Sequence, residues 1–227
     1  MRSRYGSVLP AVFPLEEPLP PNAPLDALRE QARRNPGDFS ARLVLGQKLF
    51  QDDQIEEAEE ELRAALTLFP DYGGPDSPYL YLARIHRGRG ETDKAAAAFL
   101  ALAERSENAY EALLEEAELR RQLQDSRGEI TALERALEAY PYEVRTHERL
   151  AELHTSLGDP AGAVRERAAV LALAPVDKAR AHYELALAHL DAGDPAAARR
   201  ETLRALEIAP GYPEAQDLLL RLQGAAR

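Results

Sequence analysis

The 227-residue chain predicts an all-α fold built from repeated helix pairs, on two observations. The first is composition. Alanine, leucine, glutamate and arginine number 41, 35, 26 and 25 and make up more than half the chain. These types lose little conformational freedom in a helix, while the β-branched and aromatic residues that fill sheets are scarce. The second is a period. Pro36, Pro70, Pro141, Pro175 and Pro210 are separated by 34, 71, 34 and 35 residues, the long gap being two units with a small insertion. Leu45-Gly46, Leu82-Ala83, Glu116-Ala117, Leu150-Ala151 and Leu185-Ala186 share one phase of that period. Ala58, Ala95, Glu129, Ala163 and Ala198 share a second, and Ala65, Leu102, Ala136, Val170 and Ala205 a third. Repeat units of this length cannot bury their apolar faces alone, so neighbouring units must stack.

Taken in order, residues 1–23 are rich in proline, have no period and read as an extended arm or linker. Helices are expected over about 25–34, 39–51, 55–68, 78–88, 92–105, 109–123, 127–139, 143–156, 160–173, 178–192, 195–208 and 213–223. In the first pair Leu45 and Leu49, then Ile55, Leu62 and Leu66, recur at helical spacing, and small residues at Gly46 and Ala58 let the backbones approach. Gly158-Asp159-Pro160 and Gly193-Asp194-Pro195 each read as a helix end, an Asp N-cap and a proline at the first helical position. Ser77-Pro78 and Gly90-Glu91-Thr92 serve the same purpose. Between them and the first pair, Asp71-Tyr72-Gly73-Gly74-Pro75-Asp76 is an insertion that lengthens the turn. The units therefore run 39–72, 76–109, 110–143, 144–177 and 179–212, after a half-unit at 24–36 and before a capping helix at 213–223.

These phases resemble the tetratricopeptide repeat family, whose 34-residue pattern places Leu-Gly/Ala, Ala, Ala and a closing Pro at fixed offsets. The resemblance covers about residues 24–223; the third copy departs from it with Glu116 and Glu129. It implies a right-handed α-solenoid whose inner wall is formed by the first helix of each unit and binds a peptide or helix of a partner protein. Carried onto this chain, the groove residues are Leu43, Gln47, Phe50, Leu80, Tyr81, Arg84, Arg87, Glu118, Arg121, Arg145, Glu148, Glu152, Tyr183 and Leu187. Members that clamp a terminal carboxylate use a Lys/Arg pair that only Arg145 and Arg149 match; Leu80, Arg84 and Glu115 stand where other donors are required. Intrahelical pairing of Arg145 and Arg149 with Glu148 and Glu152 is the plainer expectation. Leu43, Phe50, Leu80 and Tyr81 are expected to expose an apolar patch. The arm, with Val8, Leu9, Val12, Phe13 and Leu15, is expected to dock there or to mimic the partner.

Other functions are argued against by composition. With no Cys there are no disulfides, thiolate metal sites or Cys nucleophiles. No Gly-x-Ser-x-Gly or phosphate-binding loop is present, and the acidic runs, such as Glu56-Glu57 and Glu59-Glu60-Glu61, read as solvated helix faces. The reading is thus a non-enzymatic, cofactor-free scaffold. A net charge of −11 opposes nucleic-acid binding, and no apolar run reaches membrane-spanning length. A cytoplasmic location and possible homo-oligomerisation follow as expectations. Two alternatives stand beside it. In one, the chain is the C-terminal interaction or assembly module of a larger enzyme. In the other, His147, His154, His182 and His189, brought together by stacking, bind a metal.

Overall fold

The computed structural model describes residues 19–106, 109–173 and 175–224. Among them are twelve α-helices and no strands. The chain divides into two compact units, the first ending at Tyr72 and the second starting at Gly73. The first contains α1 (Leu25–Arg34), α2 (Phe39–Gln51) and α3 (Ile55–Leu68). The second contains α4 (Pro78–Gly88), α5 (Thr92–Ala103), α6 (Tyr110–Gln122), α7 (Ser126–Ala139), α8 (Val144–Ser156), α9 (Pro160–Ala172), α10 (Lys178–Asp191), α11 (Pro195–Ile208) and α12 (Pro213–Gly224).

Helix starts follow the cap chemistry. Asp159 accepts from the Gly162 amide at 3.0 Å and Asp194 from the Ala197 amide at 2.8 Å, each followed by proline at the first position. Asp38, Asp125 and Asp177 cap α2, α7 and α10 in the same way, and Ser77 caps α4 through the Tyr79 amide at 3.3 Å. The turn inside each helix pair needs one residue in the left-handed region. Gly90, Gly158 and Gly193 supply it at φ of 71°, 70° and 77°, while Asp53 and Gln124 occupy the equivalent place at 59° and 57°.

Within the first unit, α2 packs on both α1 and α3, with Leu28, Leu45, Leu49 and Leu62 buried. In the second unit each helix packs on the next along the chain, so burial is shared among successive clusters with no single centre. Phe99 and Leu113 anchor one cluster, Leu133, Leu150 and Leu153 the next, and Leu218 and Leu222 the last. The alanines at the helix crossings, Ala95, Ala151, Ala186 and Ala198 among them, are fully buried, which is why no larger residue repeats there. On α12, Leu218 and Leu222 face inward while Leu220 is exposed, as a terminal helix with one covered face requires.

Aromatic rings stack where a unit's first helix meets the end of its second. Phe39, Phe69 and Tyr72 form such a group, with centroids 4.9–5.8 Å apart, and Tyr110 meets Tyr140 at 5.5 Å. The third copy replaces two packing positions by carboxylates, and they fare differently. Glu129 is buried, but receives Arg149 Nε at 2.6 Å and Nη2 at 3.1 Å. Glu116 is buried beside Arg120 Nε at 3.5 Å, and its Oε2 has no hydrogen-bond partner among the described residues. Burial therefore pushes the Glu116 carboxyl above its ordinary range, against the opposing pull of Arg120.

Candidate functional site

The second unit carries a pocket of about 620 Å³ between α4, α5, α6 and the 73–75 turn. Helix α5 packs against both α4 and α6 and supplies the floor, Phe99 and Leu102, joined by Leu80 of α4 and Ala112 of α6. Arg84 and Arg87 rise from α4, Glu111 and Glu115 from α6, and Arg105 and Ser106 from the turn after α5. The insertion closes one side. Gly73 lies so near the Arg105 carbonyl that any Cβ there would fall inside van der Waals contact, so the Gly-Gly-Pro turn is moulded onto the end of α5.

Charge in the pocket is arranged unevenly. Arg87 donates to Glu115 at 2.7 Å across α4 and α6 and lies 5.9 Å from the Phe99 ring centroid. Arg105 donates to the Ala101 carbonyl at 2.8 Å and stacks 5.0 Å from Tyr79. One turn before Arg87, Arg84 is exposed and lies over Tyr81 at 5.8 Å; among the described residues it has no carboxylate partner. One turn before Glu115, Glu111 is likewise exposed, with no cation paired to it among the described residues. Burial pushes the Tyr81 hydroxyl above its usual range despite Arg84.

The expected groove residues are spread along the chain. Leu80, Arg84 and Arg87 line the pocket. Tyr81 is half-buried beside Arg84. Glu118 and Arg121 pair with each other at 2.7 and 2.8 Å, and Glu152 pairs with Arg149 at 3.1 Å. The hydrogen bond from Arg121 is the main cause holding the Glu118 carboxyl below its usual range. Arg145 and Glu148 are exposed; Arg145 makes no intrahelical ion pair among the described residues, so only Arg149 follows the pairing expected of the two arginines. Tyr183 contacts Tyr212 at 5.2 Å and, with Leu187, packs against the last core cluster.

Leu43, Gln47 and Phe50 lie in the first unit, and the exposed apolar patch expected of Leu43 and Phe50 needs correction. Leu43 is 5% and Gln47 7% exposed, and Phe50 is half-buried. Helix α2 carries Leu43, Val44, Leu45, Leu49 and Phe50 around most of its circumference, and a helix apolar on several faces is enclosed rather than left with an open one. The arm residues Val8, Leu9, Val12, Phe13 and Leu15 lie outside the described residues.

The histidines do not assemble as stacking arithmetic suggested. His147 Nδ1 meets Glu166 at 2.8 Å and His182 Nδ1 meets Glu201 at 2.8 Å, each joining the two helices of its own unit as Arg42 and Glu61 do at 2.6 Å in the first. His86 meets Glu91 at 2.6 Å and His154 meets Asp159 at 2.9 Å across the turn within the pair. Among the described residues no group of three or more His, Cys, Asp or Glu could hold a metal ion. Sequence reasoning passed over Phe99, Leu102, Arg105 and the glycines of the insertion as parts of a site. Their signal was the insertion itself, read only as a longer turn.

The repeat geometry agrees with the family comparison. The tetratricopeptide repeat model matches residues 25–73, 80–144 and 148–213. The chain belongs to the tetratricopeptide repeat family. Its repeats make it a protein-interaction module, of a kind that is in general non-enzymatic. No curated protein matches the sequence. Among solved structures it is similar to YrrB, described as a TPR protein with an unusual peptide-binding site, at 16% identity and a TM-score of 0.52, over 86% of this chain and 98% of that one. It is also similar to a chain in the structure of Naa15/Naa10 bound to HypK-THB, at 15% identity and a TM-score of 0.68, over 89% of this chain but only 31% of that one. At such identities the likeness is one of fold. No described helix is long and apolar enough to cross a membrane.

Proposed function

We propose that the chain binds a peptide segment of a partner protein in the pocket between α4, α5 and α6. The observation that carries this reading is an apolar floor of Leu80, Phe99 and Leu102 beneath two charged side chains, Arg84 and Glu111, with no ion pair among the described residues. Their neighbours one turn on are paired, Arg87 with Glu115, so Arg84 and Glu111 are the charges at this pocket left available to a ligand among the described residues. A pocket of this size with a few convergent polar groups is the usual form of a recognition site. That YrrB is described as having a peptide-binding site is consistent with a ligand of this class.

The test is a random-peptide display selection against the full chain, followed by titration of enriched peptides into wild type and the Arg84→Glu/Arg87→Glu double variant. The reading predicts enriched peptides whose affinity falls about tenfold or more in the variant, with helicity unchanged. Failure to enrich any peptide, or equal binding to both proteins, overturns it.

A further inference from the structure

Arg84 precedes Arg87 by three residues on α4, and Glu111 precedes Glu115 by four on α6. Residues at these spacings lie one above another on a helix face, so the two helices present two successive rungs of the same arginine–glutamate ladder. The upper rung is closed, Arg87 to Glu115, at 2.7 Å. The lower rung stands open, its two charged side chains lining the pocket without meeting each other. Here α4 and α6 both rest on α5, and the 73–75 turn walls the side.

We infer that the open rung is a polarity filter: the pocket takes a bulky apolar side chain of a partner peptide flanked on one side by an acidic residue, which Arg84 engages, and on the other by a basic residue, which Glu111 engages. This rests on the peptide-binding reading and adds the ligand's charge order. An apolar anchor suits the Leu80, Phe99, Leu102 and Ala112 floor, where removal of its surface from water drives binding. The two charges then select among apolar segments, because a ligand of the wrong sign leaves Arg84 and Glu111 facing like charge. Arg105 stands at the pocket with its guanidinium already stacked on Tyr79 and bonded to the Ala101 carbonyl, so it sets the local field while Arg84 makes the direct contact.

The experiment uses the full chain and peptides from the display selection. Wild type is expected to enrich peptides in which an acid and a base flank a bulky apolar residue in one order shared by the selected set. The Arg84→Glu/Glu111→Arg exchange, made on exposed side chains, is expected to lose about tenfold or more for a selected peptide. It is expected to regain that affinity when the acid and base of the peptide are exchanged in turn. Enriched peptides that bind wild type and are weakened by Arg84→Glu/Arg87→Glu, yet show no charge order and no rescue by exchange, overturn the filter while leaving the peptide-binding reading intact. If no peptide is enriched, both fall.

Discussion

The α4–α6 region and the α8–α11 region are built from the same repeat, but only the first gathers its open charges around an apolar pocket. In the later region several acids and bases close on one another, His147 with Glu166, His182 with Glu201 and Arg167 with Glu184 at 3.0 Å, with Tyr183 and Leu187 packed on the neighbouring core, while Arg145 and Glu148 stay exposed on α8. These two copies, with the one at 39–72, follow the family pattern best. In the earlier region an insertion departs from the pattern, and one rung of the ladder, Arg84 and Glu111, is left open at the pocket. On the function proposed above, the capacity for a partner lies where the insertion breaks the repeat.

Several substitutions break or sharpen that contrast. The largest effect is expected at the third copy, where the pattern fails in the core. Arg149→Ala would leave Glu129 buried and uncompensated and should cost about 2–3 kcal/mol, the partial exposure of Arg149 keeping it below the usual figure for a buried pair. Glu129→Ala restores the family residue, so the Glu129→Ala/Arg149→Ala double variant should recover most of that loss in a denaturant titration.

A smaller gain is expected from Glu116→Leu, which places at this phase the residue found in the other copies. It should stabilise by about 1–2 kcal/mol at neutral pH. The sign of its pH dependence follows from the raised Glu116 carboxyl. Below the unfolded-state value both states are protonated and nothing is lost; as pH rises through the folded value, ionising a buried group subtracts stability. The advantage of Glu116→Leu over wild type should therefore shrink on acidification, and an advantage that grows would contradict the assignment. Glu91 and Asp159 act in the opposite sense. The hydrogen bond to His86 and the Gly162 amide, respectively, are the first causes holding their carboxyls low. Their contribution is present above the unfolded value and is lost as pH falls through the folded one.

The smallest effect belongs to the turns. Gln124 at φ 57° occupies a place that glycine holds in three copies, and Gln124→Gly should stabilise by about 1 kcal/mol or less, read as a shift in thermal midpoint.

Much of the fold is legible in the sequence because its signals are local. Asp159-Pro160 and Asp194-Pro195 mark helix starts wherever the chain carries them, and the 34-residue phase of Ala and Leu reports a crossing made by residues near in sequence. The site was less legible. Leu80, Arg84 and Arg87 could be assigned to a wall by position, but the floor comes from Phe99 and Leu102 on the other helix of the pair. Whether an arginine is paired depends on what stands 28 residues away, as Glu115 does for Arg87. Leu43 misled because position within a repeat says nothing about how many sides of α2 are covered. The histidines misled because equal spacing along the chain was taken for proximity, whereas His147, His154 and His182 each bond to a carboxylate of their own helix pair.

The claim that the irregular region is the binding region is tested most directly by amide hydrogen exchange of the full chain with and without a display-selected peptide. The account predicts protection concentrated in 73–87 and 99–115, with α8 to α11 exchanging as in the free protein. Protection confined to α8–α11, with 73–87 unaffected, would contradict it.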